Sequence, residues 1–168
     1  MFKAIRNHDF ETVKGIIEKN PETVNCVAVP PPKKDNGQSP LQVALKTGMY
    51  DIADYLIEHG ADADFMEAED DDPGMRAPVL FDAINAVLSE LCYYHHELSG
   101  YDKSRIEASD KALTLVEKIL DHGADVNRFN SEGMDAWEWT VHKAENLLSA
   151  AHPTEVCTMM NSCRSPTV

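Results

Sequence analysis

Apolar residues recur along the chain with the spacing of helices that bury one face. Three segments, residues 13–17, 53–57 and 116–120, place apolar side chains at positions i, i+3 and i+4. This spacing brings the three side chains onto one face of a helix. A fourth copy, at residues 156–160, follows Pro153, which suits the first turn of a helix. The pattern predicts four amphipathic helices.

A second apolar pattern precedes each of these helices and contains a small residue at a matching position. Ala4, Ala44, Ala83 and Thr140 occupy this position, and a small side chain there lets neighbouring helices approach closely. The chain is therefore predicted to contain four helix-turn-helix units. Their approximate bounds are residues 1–29, 36–64, 77–127 and 130–163.

One eight-residue segment is repeated with few changes. Residues 57–64 (Ile-Glu-His-Gly-Ala-Asp-Ala-Asp) resemble residues 120–127 (Leu-Asp-His-Gly-Ala-Asp-Val-Asn). Such self-similarity is typical of stacked modules. One helix pair cannot bury its apolar face alone, so stacking must produce the core. The predicted core residues are Ile16, Ile17, Leu41, Leu56, Ile57, Leu80, Ile84, Ile119 and Leu120.

Insertions separate the units. Pro30, Pro31 and Pro32 favour an extended connector. An acidic insertion spans residues 62–76, and mutual repulsion among its seven carboxylates favours an extended loop. The third unit is enlarged, with one long helix predicted over residues 79–98 and another from about Ala108 to His122.

Several motifs resemble the ankyrin repeat. Residues 37–44, Gly-Gln-Ser-Pro-Leu-Gln-Val-Ala, are similar to the family's Gly-x-Thr-Pro-Leu-His-x-Ala motif. Residues 47–49 resemble its turn between helices, and residues 59–62 and 122–127 resemble its helix end. The terminal units depart from the pattern at residues 20–21 and 133–137. The resemblance extends from Phe2 to about Met160 and implies an all-α, ankyrin-type α-solenoid of stacked helix-turn-helix repeats with short hairpin loops, forming one domain over residues 1–168.

The resemblance also implies a non-enzymatic module that binds another protein on its concave face. The expected contacts lie in the hairpin loops and on the exposed face of the first helices. In the second unit they are Asp35, Asn36, Gln38, Lys46 and Thr47, and in the fourth unit they are Asn130, Ser131 and Glu132. The acidic loop, with Glu69, Asp70, Asp71 and Asp72, is expected to steer a basic partner electrostatically.

Charge narrows the choice of partner. The net charge of −14 and the pI near 4.7 disfavour nucleic acid and anionic membranes and favour a basic protein. Acidity also serves solubility. No segment approaches the ~20 apolar residues of a membrane span. The four cysteines lack a metal-binding spacing, so we expect reduced thiols and a cytoplasmic location. We also expect a monomer without a cofactor.

Few residues in the sequence suggest a catalytic or metal-binding site. No Ser/His/Asp order, phosphate-binding loop or HExxH motif occurs. His95 and His96 suggest a metal, but adjacent residues point about 100° apart on a helix, so an aromatic-rich exposed face is favoured. His59 and His122 precede a helix-ending glycine, which favours a role at the helix end. Trp137 and Trp139 lie on opposite sides of their helix, so one is expected in the core.

Two alternative functions remain open. One is an acidic inhibitor or immunity-type protein that blocks a basic enzyme, which the negative charge would suit. The other is a small metal-binding protein that uses His95 and His96 with nearby acidic residues.

Overall fold

The computed structural model describes residues 1–30, 35–68, 75–96 and 103–151, excepting the side chains of residues 91–96, 103, 105 and 148–151. Within these ranges the chain forms seven α-helices, one short 3₁₀ helix (Pro21–Asn25) and no strand. None of these helices is long and apolar enough to cross a bilayer. The α-helices are α1 (Phe2–Arg6), α2 (Phe10–Lys19), α3 (Pro40–Lys46), α4 (Tyr50–Glu58), α5 (Val79–His96), α6 (Lys103–Asp121) and α7 (Ala136–Ala151).

The helices stack in chain order. The first helices of the units, α1, α3, α5 and α7, pack side by side, each against the next. The second helices pack on them, α2 on α1, α4 on α3 and α6 on α5, and α6 also packs on α4. The predicted all-α fold of stacked helix pairs is therefore confirmed.

Local sequence signals set the helix ends. Ser39 and Gln42 form a reciprocal capping box at the start of α3, where Pro40 occupies the first turn. Asp135 and Glu138 make the same reciprocal bonds at the start of α7, at 2.8 and 3.2 Å. Gly60 and Gly123 end α4 and α6 with φ of +86° and +97°, a backbone conformation that disfavours residues with a Cβ.

The core follows the predicted apolar faces, with one error. Ile16 and Ile84 are half-buried, while Leu120 is exposed, so its place in the predicted core is wrong. Leu120 lies on α6, and no further second helix stacks beyond α6 among the described residues. The remaining six predicted core residues are buried: Ile17, Leu41, Leu56, Ile57, Leu80 and Ile119.

The enlarged third unit also differs from its prediction. The long helix α5 begins at Val79 as expected and runs to His96, and residues 97–102 are outside the described ranges. The next helix begins at Lys103 and not near Ala108. No Gly or Pro interrupts residues 103–108, and Ile106 and Ser109 continue the buried stripe, so the helix extends toward its N-terminus.

We expect Leu56→Ala to lower the free energy of unfolding by about 2–5 kcal/mol, because this side chain is fully buried between α4 and its neighbours. Urea denaturation of the full chain measures the change. Val29→Ala, at an exposed position, is the matched control and should change stability by less than about 0.5 kcal/mol. Equal effects of the two variants would contradict the stacked core.

Candidate functional site

The first hairpin loop, whose described residues are 28–30 and 35–38, is held by the buried carboxylate of Asp35. Asp35 is 2 % exposed, and Arg6 Nε donates to its Oδ2 at 2.9 Å while Nη2 pairs with Oδ1. The hydrogen bond to Asp35 raises the pKa of Arg6. Gly37 N donates to Ala28 O, and Ala28 N donates to Gln38 O, each at 2.9 Å. Asn36 and Gln38 are left partly exposed at a fixed loop tip.

The loop of the fourth unit is held in the same way by a buried amide. The buried Asn130 Oδ1 accepts from Glu132 N at 3.0 Å and from Met134 N at 2.9 Å. Ser131 N donates to Arg76 O, and Arg76 N donates to Ser131 Oγ, both at 2.9 Å. Ser131 and Glu132 are exposed, so this loop also presents a fixed tip.

Lys46 and Thr47 end α3 beside the first loop. Lys46 Nζ lies 3.4 Å from Glu67 Oε1 and 3.5 Å from Asp82 Oδ2. The Thr47 hydroxyl donates to Val43 O at 2.7 Å, which commits its proton to the helix end. Lys46 therefore presents a partly exposed ammonium group whose charge two carboxylates offset.

Asp82 is a buried carboxyl in this cluster. Its burial raises its pKa to about 7, a shift that the charge of Lys46 opposes and that of Glu67 reinforces. Lys46 lies at ion-pair distance, but Asp82 Oδ2 receives no hydrogen bond from the described residues. Gln42 Nε2, buried nearby, donates to Ala77 O at 3.1 Å. The cluster joins α3 to the start of α5.

Polar contacts recur at one position in α1, α3 and α5, two residues after the small residue of each of these three first helices. Arg6 binds Asp35, Lys46 binds Glu67, and Asn85 Oδ1 accepts from Trp139 Nε1 at 3.1 Å. Each contact reaches from one first helix to a residue further along the chain, in the next unit or in the loop that leads to it. These contacts fix the spacing of the loops along the stack.

A second series of contacts joins the ends of the units. Asp62 N donates to Asn25 Oδ1 at 2.8 Å, and Asp125 N donates to Asp64 Oδ1 at 3.1 Å. Arg128 Nη1 adds an ion pair to Asp64 Oδ2 at 2.7 Å. The side chain at the end of one unit thus binds the turn that ends the second helix of the next.

The side chains of the candidate metal ligands and of the acidic-loop residues are not described by the structure. The side chains of His95 and His96, and the residues Glu69, Asp70, Asp71 and Asp72, lie outside the described residues. Within the described part of the chain, no group of three or more His, Cys, Asp or Glu residues could hold a metal ion.

The remaining histidines and tryptophans follow their predictions. His59 Nδ1 lies 2.8 Å from Tyr55 O, and His122 Nδ1 lies 2.7 Å from Lys118 O, both at helix ends. Trp139 is buried and Trp137 is exposed, which confirms that the two rings lie on opposite sides of α7.

Sequence reasoning missed the cluster of Glu67 and Asp82. Glu67 lay within the predicted acidic loop, but its side chain is mostly buried, and its Oε2 accepts from Ala77 N at 3.2 Å. Asp82 occupies the position that Val43 holds in the preceding unit, where the side chain is fully buried. A charged residue at a core position of the repeat was the signal that could have found it.

Comparison with known families agrees with the stacked fold. The model of ankyrin repeats, in three copies, matches residues 1–94, which is more than half of the chain. The chain belongs to the ankyrin repeat family. This confirms the resemblance seen in the motifs. Ankyrin repeats are generally protein–protein interaction modules and are typically non-enzymatic. No curated protein matches the chain by sequence.

We expect Asp35→Ala to destabilise the ankyrin fold by about 1–3 kcal/mol, because it removes the carboxylate that binds Arg6 in a largely buried site. Thermal or urea unfolding measures this loss. The control Glu22→Ala removes an exposed carboxylate and should change stability by less than about 0.5 kcal/mol. Unchanged stability in Asp35→Ala would show that this ion pair does not hold the loop.

We expect Asp82→Asn to change how stability depends on pH. The folded-state pKa of about 7 lies above the unfolded value of about 3.9, so the contribution of Asp82 to stability is fully present below pH 4 and is lost as pH rises through 7. The amide does not titrate, so the variant should gain about 2–4 kcal/mol relative to the parent between pH 4 and pH 8.

Urea midpoints at several pH values measure this difference. Asp110→Asn, at an exposed position on α6, is the control for loss of a carboxylate. Parallel stability curves for the parent and Asp82→Asn would contradict a raised pKa at Asp82.

Proposed function

We propose that this protein binds a basic partner protein through the concave face formed by its hairpin loops and the exposed face of its first helices. The observation that carries this proposal is the way both described loops are held. Asp35 and Asn130 are buried and bind groups beneath or within their loops, whereas Ser131 and Glu132 are exposed and Asn36 and Gln38 are partly exposed. Asp35 and Asn130 therefore serve as loop anchors, and their more exposed neighbours serve as contacts.

Fixed loop tips favour binding because ordering a mobile loop costs free energy at the moment of association. Asn36 lies between Asp35, which binds Arg6, and Gly37, whose N–H donates to Ala28 O. Gln38 O accepts from Ala28 N, Ser131 N donates to Arg76 O, and Glu132 N donates to Asn130 Oδ1. Lys46 and Thr47 stand at the end of α3 beside the first loop. We assign these six residues to the contact surface.

Charge supports a basic partner. The net charge is −14, and among the described residues six of the chain's 15 Lys and Arg side chains form ion pairs with carboxylates of the same molecule. The surplus of unpaired carboxylates therefore gives the surface a negative field, which speeds the encounter with a positively charged protein. The paired cations are Arg6, Lys14, Lys46, Lys111, Lys118 and Arg128.

The test begins with capture of partners on the immobilised chain, identified by mass spectrometry, and continues with binding kinetics. Gln38→Ala and Glu132→Ala, at the loop tips, should raise the dissociation rate. Glu11→Ala and Glu117→Ala, at exposed positions on the second helices α2 and α6, are the controls. Weaker binding in the controls with unchanged binding in the loop variants would place the interface on the opposite layer.

We expect the triple variant with Asp70, Asp71 and Asp72 changed to Asn to associate about threefold to tenfold more slowly at low salt. Its melting temperature should not fall, because like-charge repulsion in the loop is reduced. Stopped-flow or surface-based association rates at two salt concentrations measure the effect.

The matched control changes Glu11, Glu18 and Glu22 to Gln, which removes the same three charges from the first unit. If both triple variants slow association equally, the overall charge steers the partner and the acidic loop has no special part. An unchanged rate in the loop variant would refute steering by this loop.

A further inference from the structure

The segments that connect consecutive units carry exposed apolar side chains. These hairpin segments are residues 23–39, 62–78 and 125–135, and the first two are described in part. Val27 is 47 % exposed, Val29 is 74 % exposed and Phe129 is 57 % exposed. Single exposed apolar residues are ordinary on protein surfaces, so the arrangement of these residues decides whether they indicate a contact.

Two hydrogen bonds identify corresponding positions in the hairpin segments. Asn25 Oδ1 accepts from Asp62 N at 2.8 Å, and Asp64 Oδ1 accepts from Asp125 N at 3.1 Å. Asn25 and Asp64 therefore hold the same place in consecutive segments, and the repeated eight-residue segment gives Asn127 that place in the third. The residues two positions further on are Val27, Met66 and Phe129, which are all large and apolar.

Hydrogen bonds within the first and third hairpin segments give the same alignment. Ala28 N donates to Gln38 O, and Asn130 N donates to Met134 O, each at 2.9 Å. Each donor directly follows the apolar residue of its segment. The apolar residues therefore correspond in local structure as well as in sequence.

Exposure alternates after this repeated apolar position. The next residue has a buried or mostly buried side chain, and the residue after that is exposed. The three triplets are Val27-Ala28-Val29, Met66-Glu67-Ala68 and Phe129-Asn130-Ser131. Because the central side chain of each triplet points into the molecule, the flanking side chains lie on the outward side. The large apolar ones form the apolar row, which consists of Val27, Val29, Met66 and Phe129.

The end of the helix stack does not explain the apolar row. Leu120 is exposed on α6, beyond which no described unit stacks, but α3 and α4 follow Val27, and α5 and α6 follow Met66. Val27 is exposed and Met66 is partly exposed although a complete helix pair lies beyond each of them. Apolar side chains that recur at one outward position are typical of a surface that contacts another molecule.

The exposed charges near the apolar row are negative. Among the described residues of the hairpin segments, the charged side chains that are exposed are Asp62, Asp125 and Glu132. Arg76 and Arg128 are only partly exposed, and Arg128 forms its ion pair with Asp64. Protein interfaces commonly have an apolar centre and a polar rim, and the rim available here is acidic.

We propose that the apolar row is the central contact of the partner-binding surface and that the partner presents an apolar patch bordered by Lys and Arg side chains. This inference rests on the proposed function and adds the chemistry of the partner. Apolar side chains that leave water at the centre supply affinity, and complementary charges at the rim supply encounter rate and orientation. A partner that was basic alone would leave Val29 and Phe129 in water.

The test uses two synthetic helical peptides of equal length and equal positive charge as probes for the full chain. One has Leu and Lys on opposite faces, and the other has Gln in place of every Leu, because Gln and Leu have similar helix propensities. Fluorescence anisotropy measures both dissociation constants. Val29→Ser and Phe129→Ser each remove one side chain of the apolar row.

Leu113→Ser is the matched control, because Leu113 is 50 % exposed on α6, outside the apolar row. All three variants change exposed residues, so we expect the fold to be retained, and far-UV circular dichroism checks this. The control separates the apolar row from a general preference of the peptide for exposed apolar surface.

We expect the Leu–Lys peptide to bind at least about tenfold more tightly than the Gln–Lys peptide, and each variant of the apolar row to weaken its binding about threefold to tenfold. Leu113→Ser should leave this binding unchanged. Equal affinities of the two peptides, or equal weakening in Leu113→Ser, would overturn the apolar row as the central contact.

Glu132→Ala separates this inference from the proposed function. If it weakens the binding of both peptides while the variants of the apolar row weaken neither, the acidic surface for a basic partner stands and the apolar row is rejected. If Glu132→Ala and the variants of the apolar row all leave both affinities unchanged, the hairpin surface and the apolar row are rejected together.

Discussion

Burial of apolar side chains between successive helix pairs is the interaction on which the rest of the structure depends. A pair such as α3 and α4 exposes apolar residues on both of its broad sides, so its stability requires a neighbour on each side. Leu41, Leu56 and Ile57 are buried because α5 and α6 complete their surroundings. Each such side chain contributes roughly 1.5–3 kcal/mol when buried. Stacking therefore determines both the stability and the elongated order of the fold.

This dependence explains why the last layer differs from the earlier ones. Leu120 and Trp137 have the same place in the repeat as residues that are buried elsewhere, yet the described part of the chain leaves them exposed. The chemical nature of the residue does not decide its burial in such an array. The presence or absence of the next layer decides whether such a residue is buried.

Polar contacts between consecutive units fix the register of the apolar stack. Arg6 with Asp35, Lys46 with Glu67, and Asn85 with Trp139 link consecutive units at one repeat position. Because charged or polar groups in such places lose water, each needs a partner, and a shifted register would leave it without one. The pair of Arg6 with Asp35 also holds the first loop, which belongs to the surface at which we propose that a partner binds.

Asp82 shows that burying a carboxyl group within the helix stack disfavours its charged form. Its burial raises its pKa to about 7, so near neutral pH it exchanges between a neutral and a charged form. Lys46 offsets part of the penalty at 3.5 Å, while Glu67 adds to it. The junction between α3 and α5 is therefore the part of the core that responds most to pH among the described residues with a resolved shift.

The amino-acid sequence by itself determined the repeat, the helix ends and the family. Apolar spacing, the capping residues Ser39 and Asp135, and the glycines Gly60 and Gly123 act within a few residues, so their effects can be read locally. The net charge likewise needs no structure. The candidate contacts at the loop tips came from the family resemblance, and Asn36, Gln38, Ser131 and Glu132 are indeed accessible in the structure. Whether they bind a partner remains a proposal.

Only the tertiary structure decided which of the candidate residues are buried. Asp35 and Asn130 look like loop residues in sequence, but neighbouring units enclose them. Glu67 and Asp82 lie 15 positions apart, one in a loop and one on α5. They belong to one cluster because both lie within ion-pair distance of Lys46 on α3. The exposure of Leu120 depends on a layer that is absent beyond α6 in the described chain. Burial at these positions is set by neighbours distant in sequence, and among them only Asp82 carried a sequence signal, through its alignment with the buried Val43.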